Sequence, residues 1–364
     1  MKKVLVISNM YPTPEHISYG IFVKNQVEQL GERGIETLLA VNADPAKGKL
    51  NVLKKYASWM RDAVKQAKKH KQELSLTHAH YVFPSGLISL YLKKRFNIPY
   101  VVTAHGGDIN KMAKKNAQIR KMTASILQNA SHVIAVGEEL AETIQRDFGV
   151  AQSKMSIMSM GVDRTVFNPA DDKQAVQQAI GMDPSKKNIL FVGNVIQEKG
   201  VEELVRAFNN VTADKEAALY IVGSTKDQNF FEKIKPLADA NPAITFVEPM
   251  PQPELVRYFQ AADLFVLPSY IEGLGLVALE AMACDTPVIA ANVGGLHYML
   301  QGGAGLLVEP KNVEQLQDAL QEGLNDMHVN EQEVKRLLEL HDSKRIIDTL
   351  LAIYEEHKVK DGAQ

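Results

Sequence analysis

Cysteine is nearly absent: Cys284 is the single one among 364 residues. An intrachain disulfide is therefore excluded, and so is any site built from several thiolates. Such usage fits a reducing compartment. Long apolar runs are missing too, since no stretch approaches the ~18 uninterrupted apolar residues of a membrane-spanning helix. The start MKKVLVISNMYP is basic, yet its apolar run ends after about five residues, where a secretory core needs about seven to fifteen. A first β-strand is expected there, not a signal peptide. His78 and His80 stand in a His-Ala-His doublet, but no second Cys/His cluster supplies the three or four ligands zinc requires. No metal is expected. There is no low-complexity tract, and no nucleic-acid partner is expected.

What is present is uneven in charge. The formal net charge of −2 conceals a basic half: residues 1–165 hold 24 Lys and Arg against 13 Asp and Glu, and the remainder holds 17 against 30. The excess sits in KKYASWMRDAVKQAKKHKQE (54–73), LKKRF (92–96) and KMAKKNAQIRKM (111–122). Each run alone fits a solvated helix face. Three in one half point to an anionic partner, such as a membrane surface of acidic lipids or a phosphorylated substrate. Tyr56, Trp59 and Met60 give the first run an apolar edge, which suits a surface-lying amphipathic helix and a core-packing one equally.

Short apolar runs alternate with helical segments along the chain. KVLVIS (3–8), ETLLAV (36–41), LSLTHA (74–79), PYVVTA (99–104), HVIAV (132–136) and KMSIMS (154–159) form one series. NILFVG (188–193), ALYIVG (218–223), ITFV (244–247), DLFVLP (263–268) and PVIAA (287–291) form another. This pattern predicts an α/β chain with two Rossmann-like domains, each a parallel sheet covered on both faces. The predicted domains are 1–167 and 168–342, with a hinge at Phe167–Asp172. An amphipathic helix at 343–358, with its stripe of Ile346, Ile347, Leu350, Leu351 and Tyr354, is expected to pack back toward the first domain.

Ligands of open α/β sheets bind at the carboxyl ends of strands, so the residues just after strands carry the functional reading. After the first strand, Gly20 opens a helix, where backbone amides and the helix dipole favour an anion. After the fourth come His105, Gly106, Gly107 and Asp108. In the second half Gly193 and Asn194 end a strand, and Lys199 stands at the mouth of the next helix, able to reach a phosphate. The stretch YIEGLGLVALEAMA (270–283) sets two carboxylates, Glu272 and Glu280, eight positions apart around a Gly-x-Gly turn. Residues 273–278 formally match a dinucleotide fingerprint. Glu272, however, would repel a pyrophosphate there, and no acidic residue follows the next strand to hold a ribose. A better fit places ribose hydroxyls on Glu280, phosphate on the amides of Leu274, Gly275, Leu276 and Val277, and sugar hydroxyls near Glu272. That ligand is a nucleotide-sugar.

With these segments in view, the chain resembles the retaining glycosyltransferases of family 4, which have the GT-B fold. MGVDRTVFNP (160–169), FVGNVIQEKG, AADLFVLPSYIEGLGLVALEAMACDTPVIAANVGG (261–295) and AGLLVEP (304–310) carry the likeness. SNMYPT, YGIFVKNQ and VGNVIQEKGV look like bacterial transferases of surface-polysaccharide assembly, including teichuronic acid synthesis. The resemblance implies two Rossmann-like domains facing a central cleft. It implies donor binding through Gly20, Asp108, Gly193, Asn194, Gly273, Leu274, Gly275, Leu276, Val277 and Glu280. His105 and Glu272 would contact the sugar, and Lys199 would neutralise the departing diphosphate, these three being the catalytic set.

It further implies a metal-independent, cytoplasmic enzyme without cofactor, possible at the inner membrane face. Such an enzyme moves a sugar from a nucleotide donor, UDP-linked as first choice, to a glycan or lipid-linked acceptor. Two alternatives stand beside it: a nucleotide-sugar epimerase of the same fold, and a non-catalytic sugar-nucleotide-binding partner. The second is motivated by Asn194, where the family usually has arginine. Gly137 for serine, Asp285 for glycine, and His297 with Tyr298 where Gly-Gly-x-x-Glu is commoner are further departures.

Overall fold

The structure, a computed structural model, describes residues 3–14, 16–17, 19–42, 49–211, 217–325 and 327–359, with the side chains of 49–53 outside the description. The chain divides into two compact units, Met1–Met160 with Lys344–Gln364, and Gly161–Ser343.

The first unit is built on a six-stranded parallel sheet of β1 (Lys3–Ser8), β2 (Glu36–Val41), β3 (Leu74–His80), β4 (Tyr100–Ala104), β5 (His132–Ala135) and β6 (Met155–Ile157), in the order β2-β1-β3-β4-β5-β6. Strands β3, β4 and β5 are buried along their whole length, the polar side chains of LSLTHAH in β3 included. Trp59, Ala63 and Ala67 of the helix Lys49–Lys69 are buried in one core cluster with Leu5, Ile7 and Ala40. The Trp59 indole donates to the Ala40 carbonyl at 2.8 Å. The apolar edge of the first basic run thus serves the core.

The helix Ser343–His357 closes the opposite face of this sheet. Ile346, Ile347, Leu350, Ile353 and Tyr354 share a core cluster with Val4, Val6 and Val101.

The second unit repeats the plan with β7 (Lys187–Val192), β8 (Ala217–Val222), β9 (Ile244–Val247), β10 (Leu264–Leu267), β11 (Val288–Ala291) and β12 (Leu306–Val308), ordered β12-β11-β10-β7-β8-β9. β12 is a strand the sequence pattern did not reveal.

The boundary also lies earlier than expected. Residues 161–167 belong to the second unit and not the first, because their contacts are there. Phe167 is buried against the Phe259 ring, and Val162 is held between the His341 carbonyl and the Ser343 amide. Gly161 has φ +77, and a Cβ on it would stand 2.8 Å from the Ser343 Cα. The chain therefore changes units at Met160/Gly161 and again at Ser343/Lys344.

Candidate functional site

In the first unit the loop after β4 carries His105 and Asp108. Asp108 is 1% exposed, and both of its oxygens are committed to backbone. Oδ2 accepts from the Val82 amide at 2.6 Å and Oδ1 from the His105 amide at 3.1 Å. Burial pushes this carboxyl up to about 6, against the pull of amide hydrogen bonds from Val82, His105, its own backbone and Ile109. Asp108 therefore shapes the loop bearing His105, and a ligand would feel it through that loop.

His105 rests on aromatic neighbours, with ring centroids 4.9 Å from Phe22 and 4.5 Å from Tyr81. Its Nε2 faces His80 Nδ1 at 3.2 Å. Behind them His78 bridges the Thr103 hydroxyl at 2.8 Å and the Tyr354 hydroxyl at 2.5 Å. Burial holds all three imidazoles well below the ordinary histidine value, His80 down to about 3, so the cluster is neutral near pH 7. The His-Ala-His doublet is thus a hydrogen-bonding framework. Among the described residues no group of three or more His, Cys, Asp or Glu could hold a metal ion.

Gly20 opens the helix Ile21–Glu32 at φ +74, and a Cβ on it would stand 2.6 Å from the Met10 carbonyl carbon. The glycine lets the loop after β1 lie directly on the helix mouth. The same helix carries Phe22, whose ring meets His105, so Gly20 and His105 belong to one neighbourhood.

In the second unit the expected residues converge on another helix mouth. The helix Leu276–Ala283 begins after Gly275, at φ +84. Its first-turn amides, including those of Leu276 and Val277, have no carbonyl within the helix to accept from them. A Cβ on Gly275 would come within 2.4 Å of Leu296 Cδ2 and 3.5 Å of Glu272 Cγ, so the Glu272 stem lies across this mouth. Gly273 and Leu274 are pressed from behind by Gly295, which donates to the Gly273 carbonyl at 3.1 Å. A Cβ on Gly295 would meet that carbonyl at 2.5 Å.

Lys199 comes from the loop after β7. A Cβ on Gly193 would stand 4.0 Å from Lys199 Cδ, so the lysine stem passes beside that glycine. Its Nζ reaches Glu272 Oε2 at 2.6 Å, with both side chains largely shielded (24% and 18% exposed). Two backbone devices hold the loop: Tyr270 donates to the Glu198 carbonyl at 2.8 Å, and Gly200, at φ +67, fits against the Pro268 carbonyl. Asn194 is exposed and engages the Ile196 amide through its carbonyl.

Glu280, one turn into the helix, is half-buried. Burial pushes its carboxyl up to about 7, opposed by a hydrogen bond from the Gln252 side chain.

Several partners were not visible in sequence. Glu203 accepts from the Tyr270 hydroxyl at 2.6 Å, and Lys311 lies over the Tyr270 ring at 4.7 Å. Where Gly-Gly-x-x-Glu is commoner, His297 Nδ1 pairs with Asn292 Oδ1 at 2.7 Å, and Asn292 donates to Glu309. Asp285 adopts φ +56, a left-handed backbone that explains why glycine is usual there.

The arrangement supplies a cation, a helix mouth and two carboxylates at the carboxyl ends of neighbouring parallel strands. Comparison with known proteins identifies the family. The family profile described as Glycosyl transferases group 1 matches residues 172–336, and Glycosyltransferase Family 4 matches 20–166. The chain is 26% identical over 355 residues to TuaC of Bacillus subtilis, named as a teichuronic acid biosynthesis glycosyltransferase, covering 87% of this chain and 88% of that one.

It is 34% identical over 262 residues to a D-inositol 3-phosphate glycosyltransferase of Pseudarthrobacter chlorophenolicus, covering 67% of this chain and 61% of that one. For the corresponding protein of Corynebacterium diphtheriae the identity is 30%, covering 74% and 67%. Among solved structures, sucrose-phosphate synthase from Thermosynechococcus elongatus aligns with a TM-score of 0.78 at 22% identity, over 98% of this chain and 99% of that one. Anabaena Alr3699/HepE in complex with UDP and glucose gives 0.78 at 17%, over 98% and 100%. Two family matches in succession and two full-length likenesses in fold lead to one placement: this chain is a glycosyltransferase, a member of family 4 with the GT-B architecture.

Proposed function

We propose that the chain transfers a sugar, with retention at the anomeric carbon, from a UDP-linked donor to a glycan or lipid-linked acceptor in surface-polysaccharide assembly. The observation that carries this is the convergence of Lys199, Glu272 and the helix mouth at Gly275, with Glu280 one turn further along. In this reading the donor's anomeric C–O bond to phosphate breaks while the acceptor hydroxyl bonds to the same carbon from the same face. The acceptor's proton passes to the departing diphosphate. Lys199 and the first-turn amides stabilise the charge that develops there, the lysine as a full cation and the helix as about half a positive charge. Glu280 holds the ribose, Glu272 the sugar hydroxyls, and His105 the sugar from the first unit.

Lysine, amides and a dipole do without a divalent ion, so turnover should be unchanged by EDTA. A UDP-sugar panel, read by thermal shift and then by transfer of radiolabelled sugar to membrane extracts, tests the reading. Conversion of the donor with no acceptor present would favour an epimerase, and binding without nucleotide release a non-catalytic partner.

The membrane clause draws on the basic first unit. Among the described residues no helix is long and apolar enough to cross a membrane. Met60, Val64 and Tyr91 line a groove edged by Arg61, Lys65 and Lys68, a setting suited to acidic lipid at the cytoplasmic face. Equal sedimentation with neutral and anionic vesicles at low salt would remove this clause.

A further inference from the structure

We infer that Glu272 is a selectivity residue: it makes the site prefer an intact nucleotide-sugar over the sugar-free nucleoside diphosphate, by reclaiming Lys199 whenever no sugar holds it. The inference rests on the nucleotide-sugar reading above and adds a role for the carboxylate that this reading leaves passive.

The geometry is specific. Lys199 Nζ and Glu272 Oε2 are 2.6 Å apart, and neither side chain is more than a quarter exposed. The Glu272 stem crosses the mouth of the helix Leu276–Ala283 beside Gly275. Its carboxylate therefore occupies the lysine that a phosphate at this helix mouth would need. The nearby Lys311 is set over the Tyr270 ring at 4.7 Å, and Tyr270 is bound to Glu203.

A diphosphate must therefore displace Glu272 to reach Lys199. What happens to the displaced carboxylate depends on the ligand. An intact donor offers it sugar hydroxyls, which donate hydrogen bonds and satisfy its oxygens. A sugar-free diphosphate offers only more negative charge, in surroundings too shielded for water to screen it well. Glu272 is then repelled by the ligand and has lost its cation. The same imbalance acts after transfer: once the sugar has moved to the acceptor, Glu272 regains Lys199 and the product diphosphate is weakened.

Calorimetry on the full chain tests this with UDP alone and with the UDP-sugar that the panel selects. Glu272→Gln keeps the shape and a hydroxyl partner but removes the competing charge. It should bind UDP about tenfold more tightly than the wild type, while gaining nothing for the UDP-sugar. Lys199→Met should lose UDP affinity and make a further Glu272→Gln change without effect, because the contest is over that one cation. Equal or weaker UDP binding by Glu272→Gln, with its melting temperature preserved, overturns the inference alone. Failure of the wild type to bind UDP, ADP, GDP or their sugars overturns the nucleotide-sugar reading and this inference together.

Discussion

The two units solve opposite electrostatic problems with the same parallel-sheet scaffold. At the strand ends of the first, three imidazoles are held uncharged by burial, and the buried Asp108 carboxyl, raised to about 6, is spent on the Val82 and His105 amides. At the strand ends of the second, the Lys199–Glu272 ion pair is largely shielded beside the mouth of the helix Leu276–Ala283. The first arrangement fixes position, since neutral hydrogen bonds are directional and tolerate burial. The second manages charge, which needs a counter-ion where water screens poorly.

The largest effect should come from the charged side. Lys199→Ala removes the cation paired with Glu272 beside that helix mouth, and turnover should fall about 100-fold or more, by the measure of losing one preorganised charge-stabilising group. The loss should appear in kcat more than in the donor's KM. A pure KM effect would show that Lys199 binds the ground state alone and would weaken the contrast between the units. Gly275→Ala comes next. At φ +84, with Leu296 Cδ2 only 2.4 Å from the added carbon, it should cost about 1–3 kcal/mol of stability in urea unfolding. It should also distort the amides expected to receive the phosphate, so nucleotide affinity should fall with it.

Glu280 offers a test in which stability and binding move oppositely. Its folded pKa, about 7, lies above the unfolded value near 4.5. Its contribution to stability is thus fully present below pH 4.5 and is lost as the pH rises through about 7. Glu280→Gln removes the ionisation, so at pH 8 the variant should be more stable than the wild type by up to about 3 kcal/mol, and at pH 4.5 about equal. Donor binding should weaken at both. A wild type that melts higher at pH 8 than the variant would show that the folded protein stabilises the carboxylate.

Most of the fold was legible because both sheets are parallel and buried, so their strands stand out as apolar runs between helices. β12 was not, being three residues long beside the small Gly305 and lacking any period. The unit boundary was misplaced for a different reason. The polar stretch after Phe167 has the composition of a linker, whereas Val162 is fixed by His341 and Ser343, some 180 positions away. The candidate site shows the same division. Glycines and acids around 270–283 announce themselves locally, but the pairing of Lys199 with Glu272 joins two segments through tertiary packing alone. His78 and His80 could be noticed as a doublet, yet Thr103 and Tyr354, the partners of His78, come from another strand and from the far end of the chain, and His105, the partner of His80, from the loop after β4.

That last connection gives the smallest prediction and the finest test of the contrast. The Tyr354 hydroxyl meets His78 Nδ1 inside the first unit, where burial raises the phenol well above its ordinary value and keeps the imidazole uncharged. Tyr354→Phe preserves the ring's packing against Val4, Val6 and Leu350 and deletes one hydrogen bond. Stability should drop by about 1–2 kcal/mol, the cost of leaving one buried imidazole nitrogen without its partner. Nucleotide affinity, which the proposed reading assigns to the helix mouth of the second unit, should stay within a factor of about two. Calorimetry with UDP measures the second quantity and thermal unfolding the first. A large loss of UDP affinity in Tyr354→Phe would show that the neutral framework of the first unit also governs the charged site of the second, and the division of labour between them would have to be withdrawn.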